Sequence, residues 1–168
     1  MVHLRKMEPS DVAFLYQWEN DASAWADSDN HNPLSMQDLR DYVASTTGDI
    51  YKDGQLRLII ENEAVTIGCV DLFEADFRNR KAAIGIYIAH KWRGMHLGEQ
   101  AIEQLMHYAF DYLHLRMLYA VVLSDNKVCN RIFQNLGFTP SATLHKWTLE
   151  GDAVVWQMEN SCITNDTL

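Results

Sequence analysis

The segment IGIYIAHKWRGMHLGEQAIEQLM, residues 84–106, decides the fold of this chain. It passes from an apolar strand pattern, through a loop with glycines at Gly94 and Gly98, into apolar positions at helical spacing. A helix N-terminus carries about half a positive charge, and glycine permits the close backbone approach that an anion needs. We therefore predict that main-chain N–H groups of this turn converge on a phosphate. An ordinary strand-to-helix turn is the alternative.

Two other phosphate-binding motifs are absent. Glu99 and Gln100 follow Gly98, so the GxxxxGK[ST] of a P-loop is missing, and no GxGxxG follows a strand. The turn is therefore of another kind.

The remaining segments supply alternating strand and helix patterns around this turn. Strand patterns cover residues 2–5, 56–60, 65–73, 82–89, 117–123, 138–149 and 153–158, and helical spacing covers 12–18, 36–43, 97–112 and 128–136. The order β-α-α-β-β-β-α-β-α-β-β predicts an α/β (α+β) fold with a mixed sheet covered by helices. Residues 74–80 are interpreted as a polar connection, and residues 20–33 as a long loop.

Length and composition predict one globular domain. The chain has 168 residues, 48% of them hydrophobic, and we expect one domain over residues 1–160 with a frayed tail over 161–168. No segment approaches the ~18 apolar residues of a membrane helix, and the N-terminus lacks the apolar run of a signal peptide. We expect a cytoplasmic protein without a membrane partner.

Charge and cysteine usage exclude further classes. Fourteen Lys and Arg against 23 Asp and Glu give a formal charge of -9, which disfavours nucleic-acid binding. Cys69, Cys129 and Cys162 form no CxxC pattern, and His90 and His96 have no metal-ligand spacing. We predict neither a metal site nor a disulfide framework.

Three blocks resemble one known family. RGMHLG, residues 93–98, resembles the Q/R-x-x-G-x-G/A pyrophosphate loop of the GNAT acetyl-CoA-dependent N-acetyltransferases, with His96 in place of the middle glycine. SDNKVCNRIFQNLGF, residues 124–138, and LRKMEPSDVAFLYQW, residues 4–18, are similar to further blocks of the family. The resemblance covers nearly the whole chain and is closest to the polyamine and ribosomal-protein N-terminal acetyltransferase branches.

The resemblance implies a GNAT-like, mostly antiparallel sheet that is splayed between strands 4 and 5, with acetyl-CoA as co-substrate. It implies that strand 4 pairs with the pantetheine arm, that the glycine turn holds the pyrophosphate, and that two asparagines steady the pantetheine. The residues in these roles are Ile86, Tyr87 and Ile88; Arg93, Gly94, Met95, His96, Leu97 and Gly98; and Asn126 and Asn130. Phe133, counted with the cofactor site, stands where many relatives have a tyrosine acid.

Catalysis requires a base, because an ammonium group must lose a proton before it attacks a thioester. Glu74 and Asp71, near the end of the third strand, are the candidates, and a solvated strand end is the alternative. The proton for the departing thiolate is assigned to Tyr87, to water, or to no dedicated group. Cys129 is interpreted as a packing residue, which favours direct transfer in a ternary complex.

The acceptor is expected to be a primary amine of a small cationic molecule or of a peptide N-terminus. The candidate carboxylates are Glu19, Asp21, Asp27 and Asp29, with Trp18 and Trp25 as cation-π faces. A solvated acidic loop is the alternative. The contrasting hypothesis, suggested by Phe133 and His96, is a non-catalytic acyl-CoA-binding or regulatory module. A homodimer is a candidate assembly.

Overall fold

The computed structural model describes residues 1–22, 25 and 32–161. The strands are β1 (Val2–Lys6), β2 (Leu56–Asn62), β3 (Val65–Asp76), β4 (Lys81–Ile88), β5 (Met117–Leu123), β6 (Thr139–Thr148) and β7 (Gly151–Glu159). The helices are α1 (Val12–Glu19), α2 (Met36–Ser45), α3 (Ile50–Asp53), α4 (Leu97–His107) and α5 (Lys127–Asn135). The seven strands form one sheet in the order β1-β2-β3-β4-β5-β7-β6. The predicted mixed α/β fold is confirmed.

The sheet opens between β4 and β5. These two strands are parallel, whereas every other neighbouring pair is antiparallel. They pair over three rungs, the last joining Ala83 to Tyr119, although β4 continues to Ile88 and β5 to Leu123. The opening beyond that last rung is called the splay below, and it confirms the prediction from the family resemblance.

Helices cover the two faces of the sheet, each with its own apolar cluster. On one face, α1 and α2 pack Leu15 and Leu39 against Ile59 and Cys69. On the other face, α4 and α5 pack against a larger cluster that includes Val70, Leu72, Ile84, Leu105 and Phe133. Because strand residues alternate between faces, β4 directs Tyr87 to the α1/α2 face and Ile84, Ile86 and Ile88 to the other.

Several boundaries differ from the sequence predictions. The short helix α3 was not predicted, because four residues are too few to show a helical period. The predicted helix over 97–112 is α-helical to His107 and continues as a π-turn over Tyr108–Tyr112. The polar segment after Phe73 was predicted as a connection, yet β3 continues to Asp76 through a register shift. Polar sequence is compatible with a strand wherever solvent reaches it.

A capping box from Ser35 to Asp38 begins α2. Of the expected tail over 161–168, residues 162–168 lie outside the described part of the chain. Over residues 1–22, 25 and 32–161, no helix has the length and apolar character needed to span a membrane.

Candidate active site

The turn from Arg93 to Gly98 joins β4 to α4. Gly94 has φ 78°, and no heavy atom beyond its chain neighbours lies within 4 Å of a Cβ built on it. A Cβ on Gly98 would lie 3.5–3.8 Å from side-chain atoms of Ile86, Ile132 and Ile88, so the start of α4 packs closely on the strand. The turn therefore leaves open space in front of Gly94, next to a helix N-terminus, where an anion fits.

His96 holds a left-handed conformation at the first position before α4, with φ 57°. Its Nδ1 lies 2.9 Å from Oε2 of Glu99, and Nδ2 of Asn135 donates to Oε1 of the same carboxylate at 2.9 Å. The hydrogen bonds from Asn135 and His96 lower the pKa of Glu99. Glu99 thus links the turn to the end of α5, and these hydrogen bonds favour its ionised form.

Arg93 reaches back to β4. Its Nε donates to the carbonyl of Ile88 at 2.9 Å, and its guanidinium lies 5.7 Å from the centre of the Tyr87 ring. The N–H of Ala89 donates toward β3, to Ile67, so by alternation Ile86 and Ile88 direct their backbone groups toward the splay. That edge of β4 is the one predicted to pair with pantetheine. Met95, also predicted to contact the cofactor, is 55% exposed beside it.

The two asparagines predicted to steady the pantetheine make hydrogen bonds within the protein. Oδ1 of Asn126 accepts the N–H of Cys129 at 3.0 Å and so caps the helix. Nδ2 of Asn130 donates to the carbonyls of Leu123 and Asn126, each at 2.8 Å, and its Oδ1 accepts Nε1 of Trp156 at 2.8 Å. Asn130 therefore joins α5 to two strands, and its predicted contact with pantetheine stays a prediction.

Phe133 lies in the core of the larger face. It is 1% exposed and packs edge-to-face on Phe138 with ring centres 5.0 Å apart. A phenyl ring has no proton to give, so the predicted cofactor contact of Phe133 is limited to van der Waals packing.

An ion-pair cluster lies on the α1/α2 face. Nε and Nη2 of Arg57 donate to the two carboxylate oxygens of Asp71 at 2.7 and 2.8 Å, and its Nη1 donates to Glu19. Burial would lower the pKa of Arg57, but the surrounding negative charges, Asp71 foremost, and the hydrogen bonds to Asp71 together outweigh burial, so the pKa is raised. Asp71 pairs in register with Gly85 of β4, so the cluster borders the splay.

Tyr87 connects β4 to the region after α1. Its hydroxyl donates to Oδ2 of Asp21 at 3.3 Å, and its ring lies 5.5 Å from that of Trp18. Burial, followed by the charge of Asp21, raises the pKa of Tyr87. Trp25 is tied to the same region by donating Nε1 to the carbonyl of Glu19 at 2.8 Å. Asp27 and Asp29 of the predicted acceptor set lie outside the described residues.

Glu74 lies at the closed end of the splay. It has φ 49° within the register shift of β3, and its Oε2 accepts the hydroxyl of Tyr119 at 2.6 Å. Burial and the hydrogen bond to Glu74 raise the pKa of Tyr119. Sequence reasoning found Glu74 and Asp71 but missed Tyr119 and Arg57. The hairpin register could have placed Arg57 opposite Asp71, whereas nothing local connects Tyr119 to a residue 45 positions earlier.

Across the described ranges, no group of three or more His, Cys, Asp or Glu side chains is placed to hold a metal ion. Cys69 is buried, which raises the pKa of its thiol to about 12. Cys162 lies outside the described residues.

Comparisons with known proteins agree with this geometry. A family model described as "Acetyltransferase (GNAT) domain" matches residues 2–139. The spermidine N(1)-acetyltransferase of Escherichia coli (strain K12) is 28% identical over 154 residues, covering 89% of this chain and 80% of that protein.

Two solved structures show the same fold. The spermidine N-acetyltransferase from Vibrio cholerae in complex with CoA and spermine has a TM-score of 0.86 at 21% identity, covering 95% of this chain and 96% of that one. A structure of the Vibrio cholerae enzyme described as dodecameric has a TM-score of 0.81 at 22% identity, covering 99% and 98%.

Proposed function

Because the chain belongs to the GNAT acetyltransferase family, we propose that it transfers the acetyl group of acetyl-CoA directly to a primary amine of a small polycation in a ternary complex. Acetyl-CoA as co-substrate and an amine as acceptor follow from the family. The finer choice of a polycation rests on one observation. Glu19 and Asp71 lie together on the α1/α2 face with Arg57 as their shared counterion, two carboxylates to one guanidinium, which leaves an excess of negative charge beside the splay.

The residues present fit acetyl-CoA, which supplies the activated thioester carbonyl. The turn at Gly94 offers open space and main-chain N–H groups for the diphosphate. The splay-facing edge of β4, at Ile86 and Ile88, offers hydrogen-bonding groups to the amides of the pantetheine arm. The Arg93 guanidinium now donates to the Ile88 carbonyl, and it is placed to donate to a phosphate oxygen when the diphosphate binds.

We assign Asp71 to the acceptor ammonium. Its carboxylate borders Gly85 and is held in position by two hydrogen bonds from Arg57. A water beside it then carries away the proton that the ammonium loses. The new C–N bond forms as the C–S bond breaks, and the thiolate takes its proton from solvent, because Phe133 has none to give. Glu74 and Tyr87 stay predicted catalytic residues.

The test is an acetyl-transfer assay with product identified by mass spectrometry. Purified protein and acetyl-CoA are incubated with spermidine, spermine, amino sugars, aminoglycosides and basic N-terminal peptides. We expect acetylated polyamine, and we expect Asp71→Asn to lower kcat/KM by about 100-fold while the Kd for CoA is unchanged. Glu19→Gln, which removes another partner of Arg57, is the matched control and should cost less. Preferred acetylation of a peptide or an amino sugar would refute the polycation assignment.

The burial of Phe133 favours a second candidate, a non-catalytic acyl-CoA-binding module with the same fold. It predicts thermal stabilisation by CoA and no product with any amine. The same assay, run beside a melting curve with CoA, separates the two functions.

We also propose that the chain assembles with copies of itself. The support is the Vibrio cholerae structure described as dodecameric, which has the same fold. Sedimentation equilibrium, with and without spermidine, gives the number of chains per particle, and a monomer at all concentrations would refute the proposal.

A further inference from the structure

The closed end of the splay on the α1/α2 face, between the side chains of β3 and β5, is called the well below. Its base is β4, where Ala83 and Gly85 face the same side as Tyr87. Its β3 side is formed by Asp71 and Phe73, since a Cβ on Gly85 would lie 3.7 Å from Oδ2 of Asp71 and 3.3 Å from Cε1 of Phe73. Phe73 therefore packs tightly against Gly85 and bounds the well on the β3 side.

Tyr119 closes this well at its end. Its hydroxyl reaches Glu74 on β3, although Tyr119 belongs to β5 and β4 lies between the two strands. Neighbouring strands are about 4.8 Å apart, so the side chains of Tyr119 and Glu74 together span about 9.6 Å across β4. Ala83, on the same rung as Tyr119, is 3% exposed, as expected for a residue beneath the ring.

Two contacts fix the position of the Tyr119 ring. The hydroxyl donates to Oε2 of Glu74 at 2.6 Å, and Nζ of Lys81 lies 6.0 Å from the ring centre. Glu74 itself holds a left-handed backbone conformation, with φ 49°, which directs its carboxylate to the tyrosine. Strain of this kind in a non-glycine residue concentrates at functional sites.

We propose that Tyr119, held by Glu74, is the end wall of the acyl site and restricts the transferred group to acetyl. The proposal rests on the proposed function. An arm that pairs along Ile88 and Ile86 directs its thioester end toward the last rung, where Ala83 and Tyr119 meet. Each further methylene of the acyl group then meets the tyrosine ring, because β3 blocks one side of the well and the paired strands close its base.

The experiment compares acyl-CoA esters in the wild-type chain and in Tyr119→Ala. Calorimetry gives the Kd of acetyl-CoA, propionyl-CoA and butyryl-CoA, and kcat/KM is measured with the best amine acceptor. In the wild type we expect acetyl-CoA to be preferred to butyryl-CoA by about tenfold or more, the effect typical of added methylenes in a fitted pocket. In Tyr119→Ala we expect that ratio to fall by about tenfold.

Two further variants complete the design. Tyr119→Phe keeps the ring and loses only the bond to Glu74, so it folds as the wild type does and should lower the ratio by a smaller factor, about threefold. If Tyr119→Ala does not fold, the acetyl-to-butyryl ratio of Tyr119→Phe alone tests the role of Tyr119. Tyr112→Ala, at a 75% exposed tyrosine on the π-turn, is the matched control and should keep the wild-type ratio.

The outcomes separate this inference from the proposed function. Equal affinity of the wild type for acetyl-CoA and butyryl-CoA, or an unchanged ratio in the folded Tyr119 variants, would overturn the end wall alone. Binding of acetyl-CoA without transfer to any amine would overturn the proposed function, while the Kd ratio still decides the role of Tyr119. Absence of binding by any CoA ester would overturn both.

Discussion

His96 stands where the family motif has a glycine, and its backbone has the left-handed conformation that glycine adopts easily. At φ 57° it takes a conformation that costs most non-glycine residues about 1–2 kcal/mol, and it contacts Glu99 from that position. Glycine would remove the strain, but it would raise the entropy of the unfolded chain, which costs about 0.5–1 kcal/mol of stability. We therefore expect His96→Gly to change the free energy of unfolding by less than about 1 kcal/mol. We expect His96→Ala, which keeps the strain and loses the contact, to be the less stable variant in urea denaturation. The reverse order would show that the strain is absent.

Gly94 tests the phosphate-binding turn directly. A Cβ there meets open space, so Gly94→Ala adds backbone strain at φ 78° but little steric conflict. Gly94→Asp adds the same strain and places a negative charge against the diphosphate. Such like-charge contacts cost several kcal/mol, so we expect the Kd for CoA to rise at least about 100-fold. Calorimetry measures it, and circular dichroism confirms folding. Equal Kd values for the Asp and Ala variants would show that the diphosphate binds elsewhere.

At the scale of elements, Asn130 joins α5 to β5 and β7. Asn130→Ala removes the acceptor of Nε1 of Trp156, and an unsatisfied buried group costs about 1–3 kcal/mol. The carbonyl of Leu123 also loses a donor but keeps the N–H of Asn126. We expect a loss of about 1–3 kcal/mol in urea denaturation, with the Kd for CoA unchanged in the folded protein. Asn135→Ala, at an exposed residue of the same helix, is the control and should lose less. A weakened Kd without lost stability would instead make Asn130 a ligand-binding residue.

The accuracy of the sequence predictions followed the length of each pattern. The helix from Leu97 and the strand over 117–123 have several apolar positions in register, and the structure has both. Helix α3 has four residues, and its N-terminal cap on Asp49 is a local contact that periodicity does not report. The π-turn after His107 keeps the apolar spacing of a helix, so sequence alone does not distinguish the two.

The residues of the candidate site also differ in how well the sequence predicts them. The turn from Arg93 to Gly98 is contiguous, so one motif was enough to predict it. The pairs Arg57–Asp71 and Tyr119–Glu74 join separate strands, and their contacts depend on sheet order and register. Sequence reasoning named the acidic member of each pair because carboxylates suggest catalysis. The partners had no such chemical signal.

At the scale of the whole molecule, carboxylates stabilised in the folded state set the response to acid. Hydrogen bonds within the protein lower the pKa of several of them, including Asp38, Asp53, Asp76, Glu99 and Asp152. A group whose pKa is lower in the folded state binds fewer protons there than in the unfolded chain. Its stabilising effect is therefore present above the unfolded pKa and lost as the pH falls through the folded one.

Asp11 also has a lowered pKa, and it is a buried carboxylate. Burial would raise its pKa, but hydrogen bonds from Arg5, at 2.7 and 2.8 Å, and from the N–H of Glu8 outweigh burial and lower it. Arg5 also donates to Glu61 of β2 at 2.6 Å, so Asp11 ties the first helical turn to two strands.

We expect the urea midpoint of the wild type to be steady between about pH 5 and 7 and to fall below about pH 4, as the carboxylates with lowered pKa values gain protons. In Asp11→Asn the midpoint should be lower at neutral pH, because Arg5 loses its buried counter-charge, and should fall less steeply with acid. Asp38→Asn, at an exposed cap, is the matched control. Parallel curves for the wild type and Asp11→Asn below pH 4 would show that Asp11 has the same pKa in the folded and unfolded chain, and that the acid response comes from the surface carboxylates.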